Sequence, residues 1–277
     1  MPAAAQELRG RSRWAVLLGL ALGLAGCGLA AKSKTCNLKA KGLSGRGWNG
    51  QELAGGQLAL IFLKGPSSVS ADIGAYLEAQ SIRAGFFVQG SAVEGQEKVL
   101  EEIRDQGHLL GNGSYRYQDL TQAEQPVLEL RTTDALITPY VTGNLFLFYA
   151  PLKSFDDQTA ALLESNGLGK YVGPIKDDSL PSPTFQYDEQ CWIEALAPSV
   201  CAAQYFTEAQ RLGRGVLAFH DTDSRTLVML QELVPQLKAF GFDLVRLDEI
   251  PSVRSALSRA GGQVDQVAGP QACDDYE

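Results

Sequence analysis

Only two histidines occur in this 277-residue chain, His108 and His220, and they bound the chemistry the sequence can support. A histidine-rich metal centre is excluded by count alone, since such sites draw on several imidazoles. The chemically capable groups that gather in the sequence are Asp177, Asp178, His220, Asp221 and Asp223. The adjacent His220 and Asp221 have the form of a base and an orienting carboxylate, and the same dipeptide serves equally well as a packed structural pair. With Asp177 added, two carboxylates and an imidazole would suffice for metal-independent hydrolysis of a glycosidic or ester bond, provided the carboxylates face one another across a cleft. The five cysteines contain no C-x-x-C spacing, which removes the signature of a dithiol redox centre or a zinc knuckle.

These residues need a scaffold, and the apolar pattern supplies one. Short apolar runs at 58–63, 82–88, 108–111, 145–149, 170–172, 215–219 and 242–247 read as strands. They alternate with segments of helical period at 69–80, 92–106, 123–136, 155–165, 201–212 and 226–240. Strands alternating with helices predict an α/β fold with a parallel sheet, and seven of them predict a distorted (β/α)7 barrel. Gly107, Gly167 and Gly241 each follow a helical stretch, where glycine ends a helix and returns the chain to the next strand. In such barrels functional side chains collect at the carboxyl ends of the strands, which directs attention to the loops after residues 63, 112, 149, 173 and 220. With 45% hydrophobic residues and no linker in 57–277, that stretch is expected to be a single domain. The 24 basic against 32 acidic residues, a formal net charge of -8, offer no basic field for a phosphate backbone, so nucleic acid is not an expected partner.

The amino terminus is of another kind. Arg9, Arg11 and Arg13 precede an apolar stretch at 14–24 that is too short to span a bilayer comfortably. Leu24-Ala25-Gly26-Cys27 then resembles a bacterial lipoprotein signal, which implies removal of residues 1–26, lipidation of Cys27 and a tether over 27–56. Gly28 in place of aspartate resembles the signals directed to the outer membrane, so the expected location is the cell envelope, with the membrane reached through the lipid. In that oxidising compartment four cysteines remain, for which pairings of Cys191 with Cys201 and of Cys36 with Cys273 are expected.

The strand ends also carry a family pattern. Ile61-Phe62-Leu63-Lys64-Gly65-Pro66, then Gly107-His108-Leu109-Leu110-Gly111-Asn112, then Phe148-Tyr149-Ala150-Pro151-Leu152-Lys153, then 171–178, and finally Leu217-Ala218-Phe219-His220-Asp221 follow one another in order. This succession resembles the polysaccharide deacetylase family, the NodB homology domain of carbohydrate esterase family 4, whose members remove acetyl groups from chitin-like sugars and peptidoglycan. The resemblance implies a general base at Leu63, metal ligands at Lys64, Gly113 and Tyr117, a groove-shaping arginine at Tyr149, an aromatic and an aspartate within 171–178, and a general acid at His220. None of the three ligand positions holds a side chain that binds zinc in such sites, and the base position is aliphatic. The resemblance therefore implies a degenerate member with no metal and no cofactor.

Two functions of different class follow. One is a non-catalytic envelope lipoprotein that binds a glycan, peptidoglycan or chitin-like, or an envelope protein, through Lys64, Asn112, Tyr117, Tyr149 and Trp192. The other is a hydrolase of altered, metal-independent chemistry built on His220, Asp221 and Asp177. His108, which is not a ligand in the resembling family, is expected to be structural.

Overall fold

The computed structural model describes residues 42–264. In chain order these form β1 (Leu43–Trp48), β2 (Gln57–Leu63), α1 (Ser70–Ala79), β3 (Gly85–Val88), α2 (Glu97–Asp105), β4 (Leu109–Asn112), α3 (Pro126–Ile137), β5 (Leu147–Phe148), α4 (Asp157–Leu163), β6 (Gly173–Ile175), α5 (Asp188–Ile193), α6 (Pro198–Leu212), β7 (Gly215–His220), α7 (Ser224–Phe240), β8 (Asp243–Val245) and α8 (Pro251–Arg259). All strand pairings are parallel. The main sheet runs β5-β4-β3-β2-β7. Because β7 pairs with β2 from Leu58 to Leu63, β3 and β8 must share the opposite edge of β2, β8 beside residues 57–59 and β3 beside 61–63. That fork is the distortion of the barrel.

The smaller sheet, β1 with β6, extends this curve: Val172 bridges to Leu147, and Asp178 N donates to Val216 O at 2.9 Å. The Asp178 carboxylate reinforces the seam by accepting from Gly50 N and Val216 N, each at 2.8 Å, and from Gln51 Nε2 at 2.9 Å. Asp178, expected among the reactive carboxylates, is thus a closure of the barrel wall.

β2 reads QLALIFL, apolar on both faces, because both faces are covered. Leu58, Leu60 and Phe62 pack with α1, α2, α6 and α7, whereas Ala59, Ile61 and Leu63 join Val216, Ala218, Phe87, Leu147 and Val172 in a second core. Leu247, Ile250, Val253 and Leu257, around and within α8, complete that second core.

Several expectations shift. The tether predicted over 27–56 already folds from β1 onward, since Leu43 and Trp48 pair with Gly173 and Ile175. The strand predicted at 170–172 lies at Gly173–Ile175, with Val172 in an isolated bridge. α5 and α8 were not predicted: α5 has only six residues, and α8 follows the last predicted strand. Gly241 ends α7 in the left-handed conformation (φ 102°), as expected of a helix-terminating glycine. Cys27, Cys36 and Cys273, with the signal segment, lie outside the described residues.

Three buried features fix the loops around the strand ends. Cys191 and Cys201 form the expected disulfide, joining α5 to α6. His108 accepts from Ala84 N through Nδ1 at 3.0 Å, and its Nε2 lies 3.0 Å from Gly74 O; burial lowers its pKa to about 4. Asp221, 2% exposed, accepts from Ser70 Oγ at 2.6 Å, and burial raises its pKa to about 6.

Two predictions follow from these anchors. The disulfide closes a short loop, with a sequence separation of 10, so Cys191→Ser with Cys201→Ser should lower the urea-unfolding free energy by about 2–3 kcal/mol. Acid response tests the buried pair of titrating groups. The unfolded chain protonates His108 near pH 6.5 but the folded chain only near pH 4, so acidification through that window removes stability. Asp221 has the opposite sign: the folded chain takes its proton near pH 6 and the unfolded chain near 3.8, so acidification adds stability. Asp221→Asn removes the offsetting contribution, and between pH 7 and about 4.5 it should lose about 2 kcal/mol more than the parent in urea melts.

Candidate functional site

The chain leaves β2 through a residue that is not glycine and yet is left-handed, Lys64 (φ 71°), followed by the cis bond Gly65-Pro66. Ser114 (φ 66°) and Tyr117 (φ 55°), on the loop after β4, share that conformation. A Cβ at Gly65 would collide with the Asp221 carboxylate, which explains the glycine there and shows where Asp221 points: beneath the loop.

Lys64 reaches across the mouth to α5. Its Nζ donates to both oxygens of Glu189, at 2.8 and 2.7 Å, and lies 5.2 Å from the centre of the Tyr117 ring. His220, at the end of β7, faces the same carboxylate, its Nε2 3.7 Å from Glu189 Oε2. The other ring nitrogen, Nδ1, is 2.8 Å from Asp188 Oδ1. Asp188 is fully buried and its Oδ2 accepts from His220 N at 3.0 Å and from Thr226 Oγ1 at 2.8 Å, while Trp192 Nε1 donates to Thr226 Oγ1 at 3.1 Å. Tyr205 accepts from Asp188 N and donates to Ala218 O, which secures the start of α5 to β7.

A second ion pair stands alongside. Lys153 Nζ donates to Asp177 Oδ2 at 2.8 Å and to Ser179 O at 3.2 Å, and Tyr187 OH donates to Asp177 Oδ2 at 2.6 Å. Lys153 and the preceding Leu152 are both left-handed (φ 57° and 55°). Tyr117 and Tyr149 are hydrogen-bonded to each other, and burial pushes both phenols, and that of Tyr187, well above the ordinary range. All three are neutral hydrogen-bonding groups at physiological pH.

The structure divides the residues expected at the site. Lys64, Tyr117 and His220 come together at the mouth. Asp177 lies on the neighbouring wall, tied to Lys153 and Tyr187. Asp221 does not orient His220: Asp188 does, so the sequence-adjacent pair is not a functional dyad. Asn112 is not a binding residue; fully buried, it donates to Leu130 O and Tyr171 OH and accepts from Ser114 N. Trp192 and Tyr149, at 8% and 4% exposure, are core and not groove surface. Within 171–178, Tyr171 is fully buried and Asp177 and Asp178 belong to the wall; the aspartate that meets His220 is Asp188, outside that stretch. Glu189 was missed entirely; the available signal was an acidic pair at 188–189 between Tyr187 and the disulfide cysteine.

Zinc sites of this kind need about three protein ligands and an open water position. Here an ammonium already saturates the nearest carboxylate, Leu63 is part of the inner core, and a Cβ at Gly113 would lie 2.9 Å from Val88 O, within reach of backbone and not of open space. Among the described residues no group of three or more His, Cys, Asp or Glu could hold a metal ion. The residues present do not fit the metal that the family uses.

Comparison with known proteins agrees with the motif order. The family profile named polysaccharide deacetylase matches residues 50–170. The chain is 26% identical over 198 residues to the peptidoglycan-N-acetylglucosamine deacetylase of Listeria monocytogenes, a match covering 70% of this chain and 38% of that protein. The chitin deacetylase of Colletotrichum lindemuthianum shares the fold with a TM-score of 0.59 at 22% identity, over 72% of this chain and 88% of that one. A carbohydrate esterase family 4 pseudoenzyme from Bacillus anthracis shares it with a TM-score of 0.56 at 19% identity, over 70% and 65%.

The misfit to metal is open to direct measurement. After incubation with zinc and desalting, the protein should retain less than about 0.1 equivalent by elemental mass spectrometry; close to one equivalent would show a site assembled from Glu189, His220 and their neighbours. With its parallel barrel, its ordered strand-end motifs and the match over residues 50–170, the chain is similar to the polysaccharide deacetylase family and shares the fold of its solved members.

Proposed function

We propose that this chain is a catalytically inactive, deacetylase-like lipoprotein of the bacterial envelope that binds a peptidoglycan-like or chitin-like glycan at the barrel mouth. The observation that carries the loss of catalysis is the Lys64–Glu189 ion pair, with a cation fixed at a metal-ligand position and the base position occupied by buried Leu63. His220 keeps its buried carboxylate partner but faces no nucleophile. That one relative of the same fold is a pseudoenzyme, and that a mutant of it has restored enzymatic activity, supports the reading that this fold persists without turnover.

The glycan reading rests on the likeness to polysaccharide deacetylases and on the polar groups left at the mouth: Lys64, Glu189, Tyr117, Tyr187 and Lys153, all partly exposed or exposed and all able to hydrogen-bond sugar hydroxyls. A second reading, an envelope protein as partner, is favoured by the burial of Tyr149 and Trp192, which withdraws two flat aromatic faces from sugar stacking. The metal-independent hydrolase lacks support, because Asp177 Oδ2 is engaged by Lys153 and Tyr187 and Asp221 lies beneath the loop at Gly65, so the two do not oppose each other across His220. Lipid attachment at Cys27 and the outer-membrane location rest on the signal-like sequence.

The test combines turnover and binding. With zinc supplied, acetate release from peptidoglycan and chitooligosaccharides should not exceed the buffer control. Chitooligosaccharide or muropeptide binding should weaken about tenfold on Tyr117→Ala, a partly exposed position that also packs against the second core, with melting curves to check that the variant stays folded. Flat isotherms for all glycans would overturn the glycan reading and direct attention to cross-linking partners in the envelope.

A further inference from the structure

The two lysine–carboxylate pairs of the site differ in one respect that bears on the ligand. The Asp177 side chain is completely buried and its Oδ2 accepts from both Lys153 and Tyr187, so that pair is a fixed part of the wall. The Glu189 side chain is 47% exposed, and its hydrogen bonds run to Lys64 alone, with His220 Nε2 at 3.7 Å behind. An ion pair this exposed contributes about 1 kcal/mol or less, so rotating Glu189 into solvent costs little. What Glu189 leaves behind is a specific arrangement: an ammonium that binds both oxygens of a carboxylate, an imidazole nitrogen on the far side, and the ring of Tyr117 below the ammonium. The Lys64 ammonium is backed by the Tyr117 ring, and His220 is held by Asp188. The Glu189 carboxylate, by contrast, hydrogen-bonds Lys64 alone.

We propose that Glu189 is an internal stand-in for a ligand carboxylate, and that the mouth selects a sugar bearing a carboxylate, which displaces Glu189 and takes its place on Lys64. This rests on the glycan reading above and narrows it. Chitin-like chains carry no carboxylate, whereas the muramic acid of peptidoglycan exposes a free lactyl carboxylate wherever the stem peptide that is amide-linked to it in the intact polymer has been removed, so the arrangement separates chitin-like chains from peptide-free muramic acid. The binding is a non-covalent exchange of one carboxylate for another.

The probes are N-acetylmuramic acid, its methyl ester, which is the same sugar without the charge, and neutral chitotriose, each titrated calorimetrically into the full chain. In the unsubstituted protein the acid should bind at least about fivefold tighter than the ester. Glu189→Ala removes the internal competitor and should tighten the acid by about fivefold while leaving the ester unchanged; Lys64→Met should abolish the preference. Lys64→Gln serves the same purpose should the Met variant unfold, and melting curves check all variants. Equal affinity for acid and ester, or no gain in Glu189→Ala, overturns the inference. If chitotriose binds under those conditions, the glycan reading stands without it; if none of the three sugars binds any variant, both fall.

Discussion

The buried carboxylate of Asp188 holds the mouth of this barrel in register. It lies at the first position of a six-residue helix that has little stability of its own, yet it accepts hydrogen bonds from the backbone and ring of His220 and from Thr226. Three elements, α5, β7 and α7, are thereby fixed to one another through a single side chain. A carboxylate removed from water is tolerable only when nearly every lone pair is engaged, and here the backbone and ring of His220 and the hydroxyl of Thr226 meet that requirement. Glu189, the next residue along, inherits its position from this anchor, as does Trp192 one turn later.

Against that rigid side stands Lys64. Replacing a divalent ion by an ammonium changes what the loops must do: a metal gathers several ligands around itself, whereas an ammonium needs one counter-charge and a few acceptors. Glu189 supplies the counter-charge and Tyr117 an aromatic face, and the two loops keep their left-handed residues although none of the expected ligands remains. The electrostatic balance of the mouth is thus internal to the protein. His220 retains its partner for the same structural reason that Asp188 is retained, since that carboxylate also caps the backbone at the end of β7.

The sequence was most informative where periodicity dominates. Apart from the short α5, the alternating strands and helices from β2 to β8 follow from apolar runs and from Gly107 and Gly241, and the parallel barrel follows from their alternation. β1 escaped because its sequence, LSGRGW, has no apolar alternation; it forms by pairing with β6, a tertiary effect. At the site, residue types marked what had been lost but not what replaced it. Adjacency suggested His220 with Asp221, yet successive residues leaving a strand point in different directions, and the orienting carboxylate arrives from 32 residues away. Asn112, Tyr149 and Trp192 carry groups suited to binding sugars and use them in the core, a distinction of burial that residue type does not convey.

The tight contact around Gly113 has a consequence for how this site could change with time. The loop has settled so that a side chain at that position meets the Val88 carbonyl, and Gly113 N donates to that same oxygen at 2.8 Å. A histidine introduced there must first displace the backbone, and a carboxylate in place of Lys64 would face Glu189 unpaired. Each step taken alone is unfavourable, and the benefit of a bound metal arrives only when several are in place. The departure from metal chemistry therefore acts as a ratchet: neutral drift can carry the chain further from its enzymatic relatives, but a return requires several coordinated changes at once.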